Sequence, residues 1–104
     1  MNNVKKGLKL IGLTDLEADV YLKLLKLRQA RISQLAKETN VTRTQLYPLL
    51  EKLVEKGVVE KSQHSVTVYK VIDSSNIISL LSKWREEQMK ILKELESELK
   101  KIGN

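Results

Sequence analysis

The 104 residues contain no cysteine and no phenylalanine, and only one proline, one tryptophan and one histidine. Without cysteine there is no disulfide, no thiolate nucleophile and no cysteine-based zinc or iron–sulfur site, which agrees with a reducing cytoplasm. No run of about 18 apolar residues occurs, and the opening Met1-Asn2-Asn3-Val4-Lys5-Lys6-Gly7-Leu8 lacks the continuous apolar core of a signal. The chain is therefore expected to be soluble, cytoplasmic and independent of membranes. His64, the lone histidine, has no companions for a metal site. No Ser-His-Asp set, phosphate-cradling glycine loop or pair of carboxylates in an apolar setting is present, so neither catalytic residues nor a cofactor is expected. With so few aromatics the core must come from Leu, Ile and Val. At this length it supports one compact domain, with an extension, stable by a few kcal/mol.

What is present is helical periodicity. Val4, Leu8 and Ile11 predict a short first helix that ends at Gly12-Leu13. Thr14 and Glu17 form a capping-box pattern for a longer helix whose buried stripe is Leu16, Val20, Leu24 and Leu27, broadened by Tyr21 and Leu25. Ala30-Arg31-Ile32 fits a short strand able to pair beside a hairpin, and Ser33 is expected to cap the helix that carries Leu35 and Ala36.

Residues 33 to 71 hold the most informative pattern. Small Ala36 allows two helices to approach, Asn40 suits a left-handed helix end, and Val41 plugs the turn between them. Thr42 with Gln45 makes a second capping box, so the next helix starts at Arg43. Leu46, Leu49, Leu50 and Leu53 make its buried stripe, and Arg43, Thr44, Tyr47, Pro48, Glu51 and Glu55 lie outside or beside it. Pro48 cannot donate to the Thr44 carbonyl and disfavours helical geometry at Tyr47, so a kink is expected there. Gly57 stops the helix. Val58-Val59, Glu60-Lys61-Ser62, a polar tip Gln63-His64-Ser65 and Val66 to Val71 then read as a hairpin rich in β-branched residues. Two helices across a short turn, followed at once by a hairpin, constitute a winged helix-turn-helix, a device that places one helix against a DNA groove.

Charge agrees with that reading. The net charge is +6, and residues 1 to 76 hold 13 Lys and Arg against 8 Asp and Glu, or +5, leaving +1 for residues 77 to 104. A basic reader favours polyanions through counterion release.

Beyond the capping cluster Asp73-Ser74-Ser75-Asn76, no Gly or Pro interrupts the chain until Gly103. The spacing predicts one helix of about 27 residues, on the order of 40 Å long. Its apolar face carries Ile77, Ile78, Leu81, Trp84, Ile91, Leu92, Leu95, Leu99 and Ile102, with Gln88 the polar interruption. Residues 1 to 71 have their own core to fill, so a second copy of the chain is the expected cover, although packing back onto Leu8 and Ile11 of the same chain is compatible with the same stripe. Gln88 suits either a register-setting seam position or a rim position that reaches water. Trp84 suits dimer packing better than a ligand box. The chain is thus expected to be mainly α with a small β-wing: a winged helix-turn-helix over residues 1–76 and an amphipathic dimerisation helix over 77–104.

Leu10-Ile11-Gly12-Leu13-Thr14-Asp15-Leu16-Glu17-Ala18-Asp19-Val20-Tyr21 resembles the opening of the archaeal TrmB-like transcriptional regulators. Arg43 to Tyr47, Leu50 to Val59 and Tyr69 resemble that family's recognition helix and wing. The resemblance covers nearly the whole chain from about residue 8, and implies a dimeric regulator that binds promoter DNA. Larger members carry an effector-binding domain after the long helix; this sequence ends at Asn104, and sugar sensing is not among the expectations.

In a DNA complex Arg43, Thr44, Gln45 and Tyr47 are placed to reach major-groove base edges, Arg43 suiting guanine and Gln45 adenine at about 1–3 kcal/mol of discrimination each. Thr42 and Ser33 suit phosphate oxygens, and Lys37, Lys61, Gln63 and His64 suit the backbone or a neighbouring minor groove. Glu51 and Glu55 face out and repel phosphates, so only the first half of this helix is expected to enter the groove. Two other readings stay open: a winged-helix adaptor for protein partners, and a sensor with an unidentified small-molecule effector between the long helices and the reader.

Overall fold

The computed structural model describes residues 2–73 and 75–103. The elements, in chain order, are α1 (Asn2–Leu10), α2 (Asp15–Leu27), β1 (Gln29–Ala30), α3 (Ile32–Glu38), α4 (Arg43–Glu55), β2 (Val59–Gln63), β3 (Thr67–Val71) and α5 (Ser75–Gly103). The strands form one antiparallel sheet in the order β1-β3-β2. This is the expected mainly helical fold with a small wing and a long final helix.

Local chemistry sets most of the boundaries. The Glu17 N–H donates to Thr14 Oγ1 at 3.1 Å and the Thr14 N–H to Glu17 Oε1 at 2.7 Å, a closed capping box at the start of α2. Gly57, at φ +77°, ends α4 in the left-handed region that a Cβ disfavours. Four expectations are corrected. β1 is shorter than Ala30-Arg31-Ile32: it pairs with β3 only at Gln29↔Lys70 and Ala30↔Tyr69, and Ile32 already begins α3 and is buried. The residue at the N-terminal boundary of α3 is accordingly Arg31, whose side chain makes no capping bond, and Ser33 lies exposed inside the helix. Asn40 is not left-handed; among the described residues, only Arg28, Gly12 and Gly57 have positive φ. Thr39 makes a left-handed residue unnecessary, since its hydroxyl donates to the Leu35 carbonyl at 2.6 Å and accepts the Val41 N–H at 3.3 Å. Finally, α4 runs through Pro48 without interruption. Thr44 and Pro48 are both exposed, so the carbonyl that proline leaves unpaired faces water.

The core is built from Leu8, Leu13, Val20, Tyr21, Leu24, Leu35, Leu46, Leu50, Leu53, Val58, Val59 and Tyr69. Burying a leucine of this kind is worth about 1.5–3 kcal/mol, so the four buried leucines of α4 hold that helix in place while its other face stays wet. On α2 the buried face differs from the expected stripe. Leu16 and Leu25 are 41% and 40% exposed, whereas Glu17 is 3% exposed. At about 100° per residue the inward line runs through Glu17, Val20, Tyr21 and Leu24, and the two leucines sit at its edges.

A carboxylate inside a core needs a partner, and Lys56 supplies it from the end of α4. Its Nζ donates to Glu17 Oε1 at 2.6 Å and to the Gly12 carbonyl at 2.7 Å, tying the α1–α2 turn, the start of α2 and the end of α4 together. Burial pushes the Glu17 carboxyl up, but the Lys56 ammonium and the Thr14 N–H outweigh it and hold the group below its ordinary value.

The final helix begins two residues before the expected boundary. The Ser75 N–H donates to Asp73 Oδ1 at 3.1 Å, and the Asn76 side-chain amide donates to the Gly57 carbonyl, so the long helix is tied to the turn that ends α4. Ser74, part of the expected capping cluster, lies outside the described residues. Ile77 and Leu80 pack on the core and Leu81 lies against Gly7 of α1. From Met89 onward every described residue is exposed, and the molecule is 65 Å in its longest dimension against 24 and 23 Å in the others.

Lys56→Met leaves the Glu17 carboxylate without its cation. The expected loss is about 2 kcal/mol, below the roughly 3–5 kcal/mol of fully buried pairs because the Lys56 side chain is 31% exposed. Since the Glu17 carboxyl is depressed on folding, the pair stabilises above the ordinary carboxylate pKa and its contribution fades as pH falls through the folded value. Urea unfolding of both proteins is expected to show a gap at neutral pH that narrows in acid.

Candidate nucleic-acid interface

The first turn of α4 is held by side chains. The Gln45 N–H donates to Thr42 Oγ1 at 3.3 Å and the Thr42 N–H to Gln45 Oε1 at 3.2 Å. This box leaves Arg43, Thr44 and Tyr47 exposed along the outer face, Tyr47 at 51%. Gln45 is also exposed, but its amide oxygen is engaged by the cap, so a bidentate contact to adenine would require it to leave the helix start.

The wing stands beside these residues. Strand periodicity of two puts Val59, Lys61 and Gln63 of β2 on the face turned toward α4, with Thr67, Tyr69 and Val71 of β3 beside them. Between the wing and the helices lies an open cleft of about 460 Å³. α3 and its preceding residue contribute Arg31, Ile32 and Ser33, α4 contributes Arg43 and Tyr47, and the wing contributes Lys61, Gln63, Thr67 and Tyr69. The structure thus brings Ser33, Arg43, Tyr47, Lys61 and Gln63 around one cleft. Thr42, Thr44, Gln45, Lys37 and His64 are exposed but outside its lining, with His64 at the tip of the hairpin.

Arg31 was missed from the sequence as a site residue. It reads as part of a strand by residue pattern, and only the shortened β1 turns it toward the cleft. Arg31, Arg43 and Lys37 make no ion pair among the described residues, so their charges remain available to an anion.

Lys61 is engaged differently. Its Nζ lies 2.8 Å from Glu51 Oε1, and the Tyr69 hydroxyl donates to the same oxygen at 3.3 Å. Lys61 also sits 5.9 Å above the centre of the Tyr69 ring, its cross-strand partner. The Lys61 hydrogen bond holds the Glu51 carboxyl below its ordinary value, and Glu51 in turn raises the Lys61 ammonium. Glu51, expected to face out on its own, is instead paired with Lys61 and hydrogen-bonded by Tyr69. Glu55 is exposed and in no ion pair among the described residues.

Among the described residues no group of three or more His, Cys, Asp or Glu side chains could hold a metal ion, and no helix is long and apolar enough to cross a membrane.

Thr42→Ala removes the oxygen that accepts the Gln45 N–H. A loss of about 1 kcal/mol is expected in urea unfolding, with Thr42→Asp recovering most of it.

Solved structures share this architecture. A possible transcriptional regulator from Methanosarcina mazei superposes with a TM-score of 0.80 at 20% identity, covering 91% of this chain and 87% of that one. TrmBL2, an archaeal chromatin protein whose structure shows a novel mode of DNA binding, gives 0.65 at 22% identity, with 86% of this chain covering 36% of that one. Reduced AbfR of Staphylococcus epidermidis, in a structure bound to DNA, gives 0.61 at 20% identity over 97% and 80%. At these identities the likeness establishes the winged-helix fold. Comparison with curated proteins gives no match. The family model described as sugar-specific transcriptional regulator TrmB matches residues 8–75, well over half of the 104 residues, and the chain belongs to that family of transcriptional regulators.

Proposed function

We propose that this protein binds double-stranded DNA sequence-specifically, as a homodimeric transcriptional regulator. The observation that carries the reading is the cationic cleft between the first turns of α4 and the wing, where Arg31 and Arg43 make no ion pair among the described residues. Arg43, Thr44 and Tyr47 project from the start of a helix whose opposite face is locked by leucines, as base readers must. Arg31, Ser33 and Lys37 flank that helix and suit phosphate contacts, while Gln63 and His64 carry the wing toward the backbone or minor groove. Sugar sensing, named in the family description, does not enter the proposal.

The dimer follows from α5. Ile91, Leu92, Leu95, Leu99 and Ile102 are 48%, 51%, 49%, 66% and 82% exposed, and recur at three- and four-residue spacing on one side of a rod that has no core beneath it. Nearer the domain the same side of α5 holds the half-buried Trp84 and Gln88, which extend the seam toward Ile77 and Leu81, where the helix is covered by the core and by Gly7 of its own chain. Two copies clamped this way present two readers to one duplex, and a paired site in the DNA mirrors the pair of subunits.

Selection of bound fragments from a random duplex pool, followed by gel-shift titration, tests the first part. Enrichment of a defined sequence is expected, with Arg43→Ala costing about 1–3 kcal/mol and relaxing preference at one position. Binding without sequence preference, indifferent to Arg43→Ala, rejects the reading and favours a protein adaptor. For the second part, Leu92→Glu with Leu95→Glu places charge on positions that are already exposed, so the domain still folds. Sedimentation is expected to show the wild type as a dimer and the double variant as a monomer with weakened DNA binding; a monomeric wild type overturns the dimer.

A further inference from the structure

We infer that Glu51 is a positioning residue that clamps the wing to the recognition helix through Lys61 and Tyr69, and that Lys61 acts within the protein rather than on a DNA phosphate. The inference rests on the DNA-binding reading above for its consequence, but on contacts within the free protein for its substance.

Three observations converge. Lys61 lies directly across from Tyr69 in the β2–β3 register, and both are on the strand face turned toward α4. Both side chains deliver their donors to one atom, Glu51 Oε1, at 2.8 and 3.3 Å. The shared acceptor ties both strands of the hairpin to one position on α4, Lys61 from β2 and Tyr69 from β3. Among the described residues these are the side-chain hydrogen bonds that connect the wing to α4, and the strand residues beyond Lys61 toward the tip have no other such anchor.

The position of Glu51 explains why the clamp is ionic. Seven residues after Thr44 and four after Tyr47, it shares their side of the helix, the side proposed to face DNA. An unmatched carboxylate there would oppose the phosphates. Pairing it with Lys61 neutralises it and converts a repulsive group into the hinge pin of the wing. The cleft then keeps Arg31 and Arg43, unpaired among the described residues, as its cations for DNA, and the angle between wing and helix is set before DNA arrives, so less ordering is required on binding.

Two readouts test this in the full chain. In the free protein, hydrogen exchange of backbone amides in residues 61–69 is expected to accelerate about two- to fivefold in Glu51→Ala and in Lys61→Met, the range of an exposed ion pair. The double variant should be no faster than Glu51→Ala, which already removes both bonds, whereas Lys61→Met leaves the Tyr69 hydroxyl on Glu51 and is expected to be the milder single change. Glu51→Gln, which keeps an acceptor for Tyr69, is expected to fall between wild type and Glu51→Ala. Unchanged exchange in Glu51→Ala and Lys61→Met overturns the clamp whatever the DNA results. On the selected duplex, the charge-balanced pair Glu51→Gln with Lys61→Met is expected to weaken binding while leaving the salt dependence of the affinity unchanged, whereas Arg31→Ala, at a residue placed for phosphate, lowers the slope. A slope reduced by about 0.9 in the charge-balanced variant marks a lost phosphate contact and overturns the assignment of Lys61. If the wild type binds no duplex, the DNA reading fails by itself, and the exchange measurement still decides the clamp.

Discussion

A single lysine at the end of α4 supports the geometry of the whole reader. Lys56 reaches both the buried Glu17 carboxylate and the Gly12 carbonyl, and in doing so joins the two ends of the helical framework around the helix that carries Arg43. Apolar packing holds α4 on the core but, being non-directional, leaves it some freedom to shift along its own axis. Two short bonds to fixed groups on other elements remove that freedom. The opposite end of α4 is set by the Thr42–Gln45 box, so the helix is registered at both termini by polar contacts while its leucines supply the energy.

The same division of labour recurs at the wing. Val59 and Tyr69 are buried and attach the hairpin base to the core, but neither sets the direction of the polar tip. That task falls to charged groups on the inner strand face, where Glu51, Lys61 and Tyr69 meet. The last helix is tied in too: Asn76 donates to the carbonyl of Gly57, the residue whose left-handed backbone ends α4. The base of α5 is thus attached at the turn between α4 and the wing, by one hydrogen bond and by the packing of Ile77 and Leu80 on the core. Whole elements are positioned by burial, and their angles by a few polar contacts.

Much of this was legible in the residues. Capping boxes at Thr14 and Thr42 act within four residues, so their geometry follows from local pattern, and the buried leucines of α4 follow from helical period. The wing is readable because Gly57 and the β-branched arms leave few alternatives. What escaped was long-range pairing. Glu17 reads as a cap and nothing more until Lys56, 39 residues away, is brought beside it. Lys61 reads as an outward cation until the sheet register assigns it to the inner face and puts Glu51 in reach. Arg31 reads as strand until pairing with β3 stops at Ala30. Each error concerns which side a charged residue faces, and side depends on register, a property of partners distant in sequence.

The distal half of α5 shows the complementary limit. Its apolar residues are plain in the sequence and equally plain in the fold, exposed along one side from Met89 to Ile102. A rod of 29 residues extends about 43 Å at 1.5 Å per residue, well beyond the domain that its first turns cover. An isolated helix of such composition gains little from its own backbone bonds, and in water most helical stability comes from covering an apolar face. Five leucines and isoleucines at about half or greater exposure over little more than three turns, residues 91 to 102, thus mark an apolar surface that the single chain leaves uncovered. The charged residues on the remaining sides, Lys93, Glu94, Glu96, Glu98, Lys100 and Lys101 among them, confine that surface to a single stripe, as a seam between two helices requires and a broad non-specific patch would not.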